Sequence, residues 1–159
     1  MGTRFGRLSA AALSFSLLVA SSGYAQAVEN LEPHQAEQAT GQPITADAAL
    51  QMLKAGNERF VSGKSKHPHE GKDWRKHLIA GQKPFATILG CSDSRVIPEL
   101  IFDEGFGGLF VIRVAGNIVD DDVKGSIEYA VEHLDSHLVV VLGHENCGAV
   151  TAALAELDK

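Results

Sequence analysis

The chain is poor in cysteine, with two in 159 residues, and poor in aromatic groups, which make up 6% of it. Two cysteines cannot build a disulfide framework and suffice only for one bridge or for part of a metal site. Basic residues are outnumbered by acidic ones, 14 to 20, for a net charge of −6. Nucleic acid is thereby excluded as the main partner, because a phosphate backbone needs a basic face. Past residue 27 the sequence holds no apolar run of the ~20 residues that a membrane-spanning helix needs, so no stable membrane anchor is expected. What is present, 45% apolar and 21% charged residues, is the composition of one ordinary globular domain.

The N-terminus reads as an address. Arg4 and Arg7 precede an apolar stretch from Leu8 to Ala20, and Ala25-Gln26-Ala27 supplies the small-x-small pattern of a signal-peptidase site. Residues 1–27 are therefore expected to be a signal peptide cleaved after Ala27, and the rest to be periplasmic or secreted. Residues 28–44 are polar and aperiodic, as in a flexible leader. Residues 45–159 are expected to form a single domain.

Within that domain, Thr45 can cap a helical arm from Ala46 to about Phe60, with Leu50, Leu53 and Phe60 roughly on one face. A polar loop covers 61–71, and a short helix over 73–80 is closed by Gly81. Three apolar runs follow, Phe85–Gly90, Leu109–Val114 and Leu138–Gly143. They suit strands buried on both faces, as in a parallel sheet. Between the second and third, residues 120–136 carry Ile127, Val131 and Leu134 at helical spacing, behind an acidic start that the helix dipole favours. A last helix is expected over Ala149–Leu157. Strand–helix alternation of this kind gives an α/β fold with a mainly parallel sheet flanked by helices.

In such sheets, ligands bind beyond the carboxyl ends of the strands. Cys91 follows the first strand and His144 the third, with Cys147 three residues further on. Two thiolates and one imidazole suit zinc, and three protein ligands leave a fourth position open, as catalytic sites do. The same cysteines would also serve as a disulfide pair or as inert core thiols. Asp93 and Arg95 lie two and four positions after Cys91. A carboxylate there can accept a hydrogen bond beside the metal, and the arginine would hold it ionised. The three-residue gap between Cys91 and Arg95 disfavours a cysteine phosphatase, whose arginine lies six positions after its cysteine. His67 and His69 sit in a polar loop, and His133 and His137 near a helix end. Neither pair has the context of a functional metal site.

Over Gln82–Leu154 the sequence resembles β-class carbonic anhydrases. The likeness is carried by Gly90-Cys91-Ser92-Asp93-Ser94-Arg95-Val96, Pro98-Glu99, Leu109-Phe110-Val111, Arg113, Ala115-Gly116-Asn117, residues 126–131, and Gly143-His144 with Cys147-Gly148-Ala149-Val150. The upstream segment 53–60 is also similar to the family's N-terminal helix. The resemblance implies Cys91, His144 and Cys147 as ligands of one Zn2+ per subunit, with Asp93 and Arg95 as the catalytic dyad. It implies Gln82 as a hydrogen-bonding partner of substrate. Phe110, Ala115 and Tyr129 would form an apolar pocket for carbon dioxide, partly from a partner subunit, and Gly148 would offer its backbone N–H. The implied reaction is reversible hydration of carbon dioxide to bicarbonate by a homodimer or a multiple of dimers. Ile88 stands where members with an aspartate-closed site often carry tryptophan, which favours the open type. Gly108 stands where the family usually has an acidic residue, a departure of local effect only. The chain ends at Lys159, where family members commonly continue with a further strand and helices, so the C-terminal part of the domain is expected to be missing. The alternatives are a zinc-binding module without turnover, a hydrolase of a sulfur analogue of carbon dioxide, and a redox protein using Cys91 and Cys147.

Overall fold

The structure, a computed structural model, describes residues 43–157. The expected signal peptide, and all of the expected leader except its last two residues, lie outside the described residues. The order of elements is α1 (Ala46–Val61), α2 (Lys72–His77), a 3-10 turn (Leu78–Ala80), β1 (Ala86–Cys91), α3 (Pro98–Ile101), β2 (Leu109–Val114), a second 3-10 turn (Ala115–Asn117), α4 (Asp121–His133), β3 (Val139–Leu142) and α5 (Gly148–Leu157). The three strands form one parallel sheet in the order β2-β1-β3. The expected α/β architecture is the observed one. Among the described residues, no helix is long and apolar enough to cross a membrane.

Helix starts follow their capping residues. The Thr45 side chain accepts from the Ala48 N–H at 3.2 Å, and the Asp120 carboxylate accepts from the Val123 N–H at 2.9 Å. Each satisfies a backbone donor that the first helical turn leaves unpaired. The buried face of α1 is Ala49, Met52, Leu53 and Gly56. It differs from the expected stripe, for Phe60 is 45% exposed. Small residues decide the face. A Cβ on Gly56 would stand 1.8 Å from the Phe102 carbonyl oxygen, so only glycine lets α1 come this close to the chain after α3.

The core joins that face of α1 to Phe85, Ala86 and Ile88 of the first strand region. β1 is buried along its whole length and β2 is half-buried throughout. β3 departs from the expectation of burial on both faces. Val140 and Leu142 pack against the core, whereas Val139 and Val141 are exposed. β3 lies at the sheet edge, and only one of its faces meets core residues among those described. The hydroxyls of Thr87 in β1 and Ser136 in the segment before β3 bond each other at 2.8 Å, pairing two buried polar groups.

A buried carboxylate ties the N-terminal arm to this layer. Asp103 accepts from Arg59 of α1 and from the backbone N–H groups of Lys66 and His67. Burial pushes its carboxyl up, but the Arg59 bond and the two N–H donors outweigh burial and hold it below the usual carboxylate value. A group lowered in the folded state adds stability above its unfolded pKa of about 3.9, and that stability is lost as pH falls through the folded value. Asp103→Asn is therefore expected to lower the denaturant midpoint at neutral pH and to flatten the loss of stability below about pH 4. Urea melts across pH 3–7 test this, and an unchanged acid slope would contradict it. Gly56→Ala is expected to cost about 1–3 kcal/mol or more through overpacking. Equal midpoints for Gly56→Ala and the parent chain would contradict the close approach of α1.

Candidate metal centre

The parallel register fixes the site. Cys91, the last residue of β1, pairs with Val114 at the end of β2, and Gly90 pairs with Leu142 at the end of β3. The residues that leave these strand ends converge on one edge of the sheet. There Cys91 Sγ and Cys147 Sγ lie 3.8 Å apart. With His144, their ligand atoms all fall within 4.8 Å of one another.

The tautomer of His144 can be read from its contacts. Its Nδ1 lies 2.9 Å from the Glu145 carbonyl oxygen, which can only accept, so Nδ1 carries the proton. Nε2 then holds a lone pair, and this atom is buried with no hydrogen-bond partner. A buried unsatisfied nitrogen is costly unless it is a ligand. It faces Cys91, and the Asp93 carboxylate lies 3.9 Å away. The Cys91 thiol is pulled down to about 6, first by the Gly116 N–H, which reaches its sulfur at 3.3 Å, and then by His144. His144 is raised, chiefly by the neighbouring Cys91 sulfur.

These features fit a metal cation. Two sulfurs each ~2.3 Å from a tetrahedral ion stand about 3.8 Å apart, as Cys91 and Cys147 do. Two thiolates with an imidazole form a soft donor set of the kind that selects zinc.

Asp93 is held from one side. Arg95 donates from Nε to Oδ1 at 2.9 Å and from Nη2 to Oδ2 at 2.7 Å, and its backbone N–H also reaches Oδ1. That bidentate fork keeps the carboxyl well below the usual carboxylate range. The Asp93 side chain is 16% exposed and that of Arg95 70% exposed. The dyad thus sits at the mouth of the cluster.

The comparisons with known proteins agree with this geometry. A family model described as carbonic anhydrase matches residues 86–159. Carbonic anhydrase 2 of Mycobacterium tuberculosis is 58% identical over 111 residues, covering 70% of this chain and 54% of that protein. Among solved structures, the β-carbonic anhydrase CcaA superposes with a TM-score of 0.52 at 35% identity, over 69% of this chain and 54% of CcaA. A tetrameric β-carbonic anhydrase from Sordaria macrospora superposes with a TM-score of 0.50 at 33% identity, over 66% of this chain and 53% of its own. The chain belongs to the carbonic anhydrase family, in its β class. It spans about half the length of the relatives it matches.

The sequence-predicted residues divide into two groups within this β-carbonic anhydrase chain. Cys91, His144, Cys147, Asp93 and Arg95 come together. Ala115 joins them through the 3-10 turn whose next residue bonds Cys91, and Gly148 joins them as the first residue of α5. Gln82, Phe110 and Tyr129 lie elsewhere. Gln82 is exposed before the start of β1, and on the order of 15 Å of strand separates Ala86 from Cys91. Phe110 pairs with Thr87, about 13 Å down the sheet from Cys91, and its ring meets Tyr129 at 6.1 Å. Gln82 and Phe110 lie toward the starts of the parallel strands, whereas the cysteines lie at their ends, and Tyr129 sits beside Phe110.

Arg113 has a positioning role that sequence reasoning missed. It donates from Nε to the Cys91 carbonyl at 2.9 Å and from Nη2 to the Asp93 carbonyl at 2.6 Å. The signal was available, since an arginine inside the apolar run Leu-Phe-Val-Ile-Arg-Val needs a specific partner. Gly116, at φ 74°, is the other, because its left-handed backbone aims an N–H at a ligand sulfur. Arg113→Met is expected to weaken zinc binding by about 10- to 100-fold in competition with a chromogenic chelator, as loss of outer-shell support does. Unchanged affinity would remove Arg113 from the support of the centre.

Proposed function

We propose that the protein hydrates carbon dioxide reversibly to bicarbonate, with zinc held by Cys91, His144 and Cys147. The observation that carries this reading is the buried Nε2 of His144, unpartnered by any hydrogen bond and aimed at two sulfurs beside an arginine-clamped carboxylate. Zinc in such a site acts as a Lewis acid that makes a water molecule lose its proton near neutral pH.

The chain's own residues orient the reaction. Asp93, kept ionised by Arg95, is an acceptor only. Its Oδ1 takes two donors from Arg95 and its Oδ2 takes one, which leaves Oδ2 acceptor capacity on the side of His144. Oδ2 accepts a hydrogen bond from the attacking oxygen and so aims a lone pair of that oxygen at the substrate carbon. Arg95 engages both Asp93 oxygens, which supports a site of the open type, in which the carboxylate would be held by the arginine. The Gly148 N–H lies in the first turn of α5, where backbone donors have no intrahelical acceptor, and is a donor for a substrate oxygen, with Ala115 as an apolar neighbour.

Gln82, Phe110 and Tyr129 serve a second copy of the chain in this reading. Their distance from their own Cys91 supports an assembly in which each copy completes the other's substrate pocket. The tetrameric relative from Sordaria macrospora supports a homo-oligomer in the same way. Residues 1–27 direct the protein to the periplasm or outside the cell, and Val28 becomes its first residue.

Stopped-flow hydration of carbon dioxide by the zinc-loaded chain tests the proposal. Asp93→Asn is expected to reduce kcat about 100-fold or more, in the range for loss of one positioned acid–base group, and Cys91→Ser to abolish metal-dependent activity. Rates for both variants equal to the parent's would sink the mechanism.

A further inference from the structure

The two ligand sulfurs are close enough to react with each other. Both cysteines are free thiols, and their Sγ atoms are 3.8 Å apart. A disulfide bond is about 2.05 Å long, so closure needs a combined sulfur movement of about 1.8 Å. Cys147 stands in the turn between β3 and α5, on a side of the cluster whose neighbours Glu145 and Asn146 are exposed.

The two thiols differ in access. Cys91 is 3% exposed, at the end of the buried strand β1. Cys147 is partly exposed. An oxidant from solvent therefore meets Cys147 first, while Cys91 waits behind it with the Gly116 N–H on its sulfur. A resolving thiol buried within 4 Å of an accessible one is the arrangement that favours an internal disulfide over a lasting adduct.

We propose that, without a metal, Cys91 and Cys147 close into an intramolecular disulfide on meeting a low-molecular-weight disulfide, so the same sulfurs bind either a cation or each other. In the first step the Cys147 thiolate attacks the small disulfide, forming a mixed disulfide and releasing one small thiol. In the second the Cys91 thiolate attacks Cys147 Sγ, forming the Cys91–Cys147 bond and expelling the second small thiol. The cysteine pair loses two electrons and two protons, and the small disulfide is reduced to two thiols. Metal binding blocks both steps, because each nucleophile is then a ligand. This proposal stands on the sulfur geometry and is independent of the hydration reading.

The full chain, zinc-loaded or stripped with a chelator, is incubated with glutathione disulfide and followed by intact mass and free-thiol titration. The metal-free chain is expected to lose both thiols while keeping no glutathione and staying monomeric under non-reducing denaturation. The zinc-loaded chain is expected to react at least about tenfold more slowly. Cys91→Ser is expected to retain glutathione on Cys147, and in Cys147→Ser the buried Cys91 thiol is expected to survive. Glutathione retained on the metal-free parent chain, covalent dimers in its place, or two surviving thiols would each overturn the proposal. The parent chain's own masses decide the matter if either variant fails to fold.

Discussion

The site depends on the register in which β1 lies between β2 and β3. Among the described strands β1 alone is buried over its full length, and it brings Cys91 to the end of the sheet beside Val114 and Leu142. Side chains alternate faces along a strand, so a slip of one residue would turn Cys91 to the opposite face, away from His144 and Cys147. The same slip would exchange the side chains that β1 sends to its two buried faces and would part the Thr87 hydroxyl from Ser136, both fully buried. Packing of the core and assembly of the cluster therefore impose one and the same register.

Two ion pairs divide the remaining work. Arg59 and Asp103 hold the N-terminal arm, and the loop after it, to the chain that follows α3. The Asp103 side chain is fully buried, so removing Arg59 would strand a charge. Arg95 and Asp93 lie at the mouth of the cluster, where an ion pair contributes little to stability and its worth is orientation. Arg113 joins the two levels, since it grows from β2 in the sheet and grips the carbonyls of both Cys91 and Asp93. The strand end and the loop that carries the carboxylate are thus fixed by one side chain.

Much of this was legible in the residues. The strands and main helices followed from apolar runs, helical spacing, the cap Thr45 and the acidic start of α4, and the chelating trio from two strand ends and a His-x-x-Cys turn. Three things were not legible. The buried face of α1 ran through Ala49 and Gly56, which carry little hydrophobic signal, and the Phe102 backbone leaves no room for a Cβ on Gly56. The run at β3 looked buried on both faces, but hydrophobicity alone does not say which element covers a strand, and Val139 and Val141 are exposed. The placement of Gln82, Phe110 and Tyr129 away from the cysteines depends on strand direction, which a list of matching positions leaves out. Arg113 was overlooked for the opposite reason, since a strand pattern records its neighbours and passes over the charge among them.

The central claim is that two sulfurs and one nitrogen, from β1 and the turn after β3, close on one cation. X-ray absorption at the zinc edge of the loaded full chain measures that coordination shell directly. The account predicts two sulfur neighbours near 2.3 Å, with the remaining neighbours nitrogen or oxygen near 2.0 Å. A shell of nitrogen and oxygen alone, or one with a single sulfur, would contradict it.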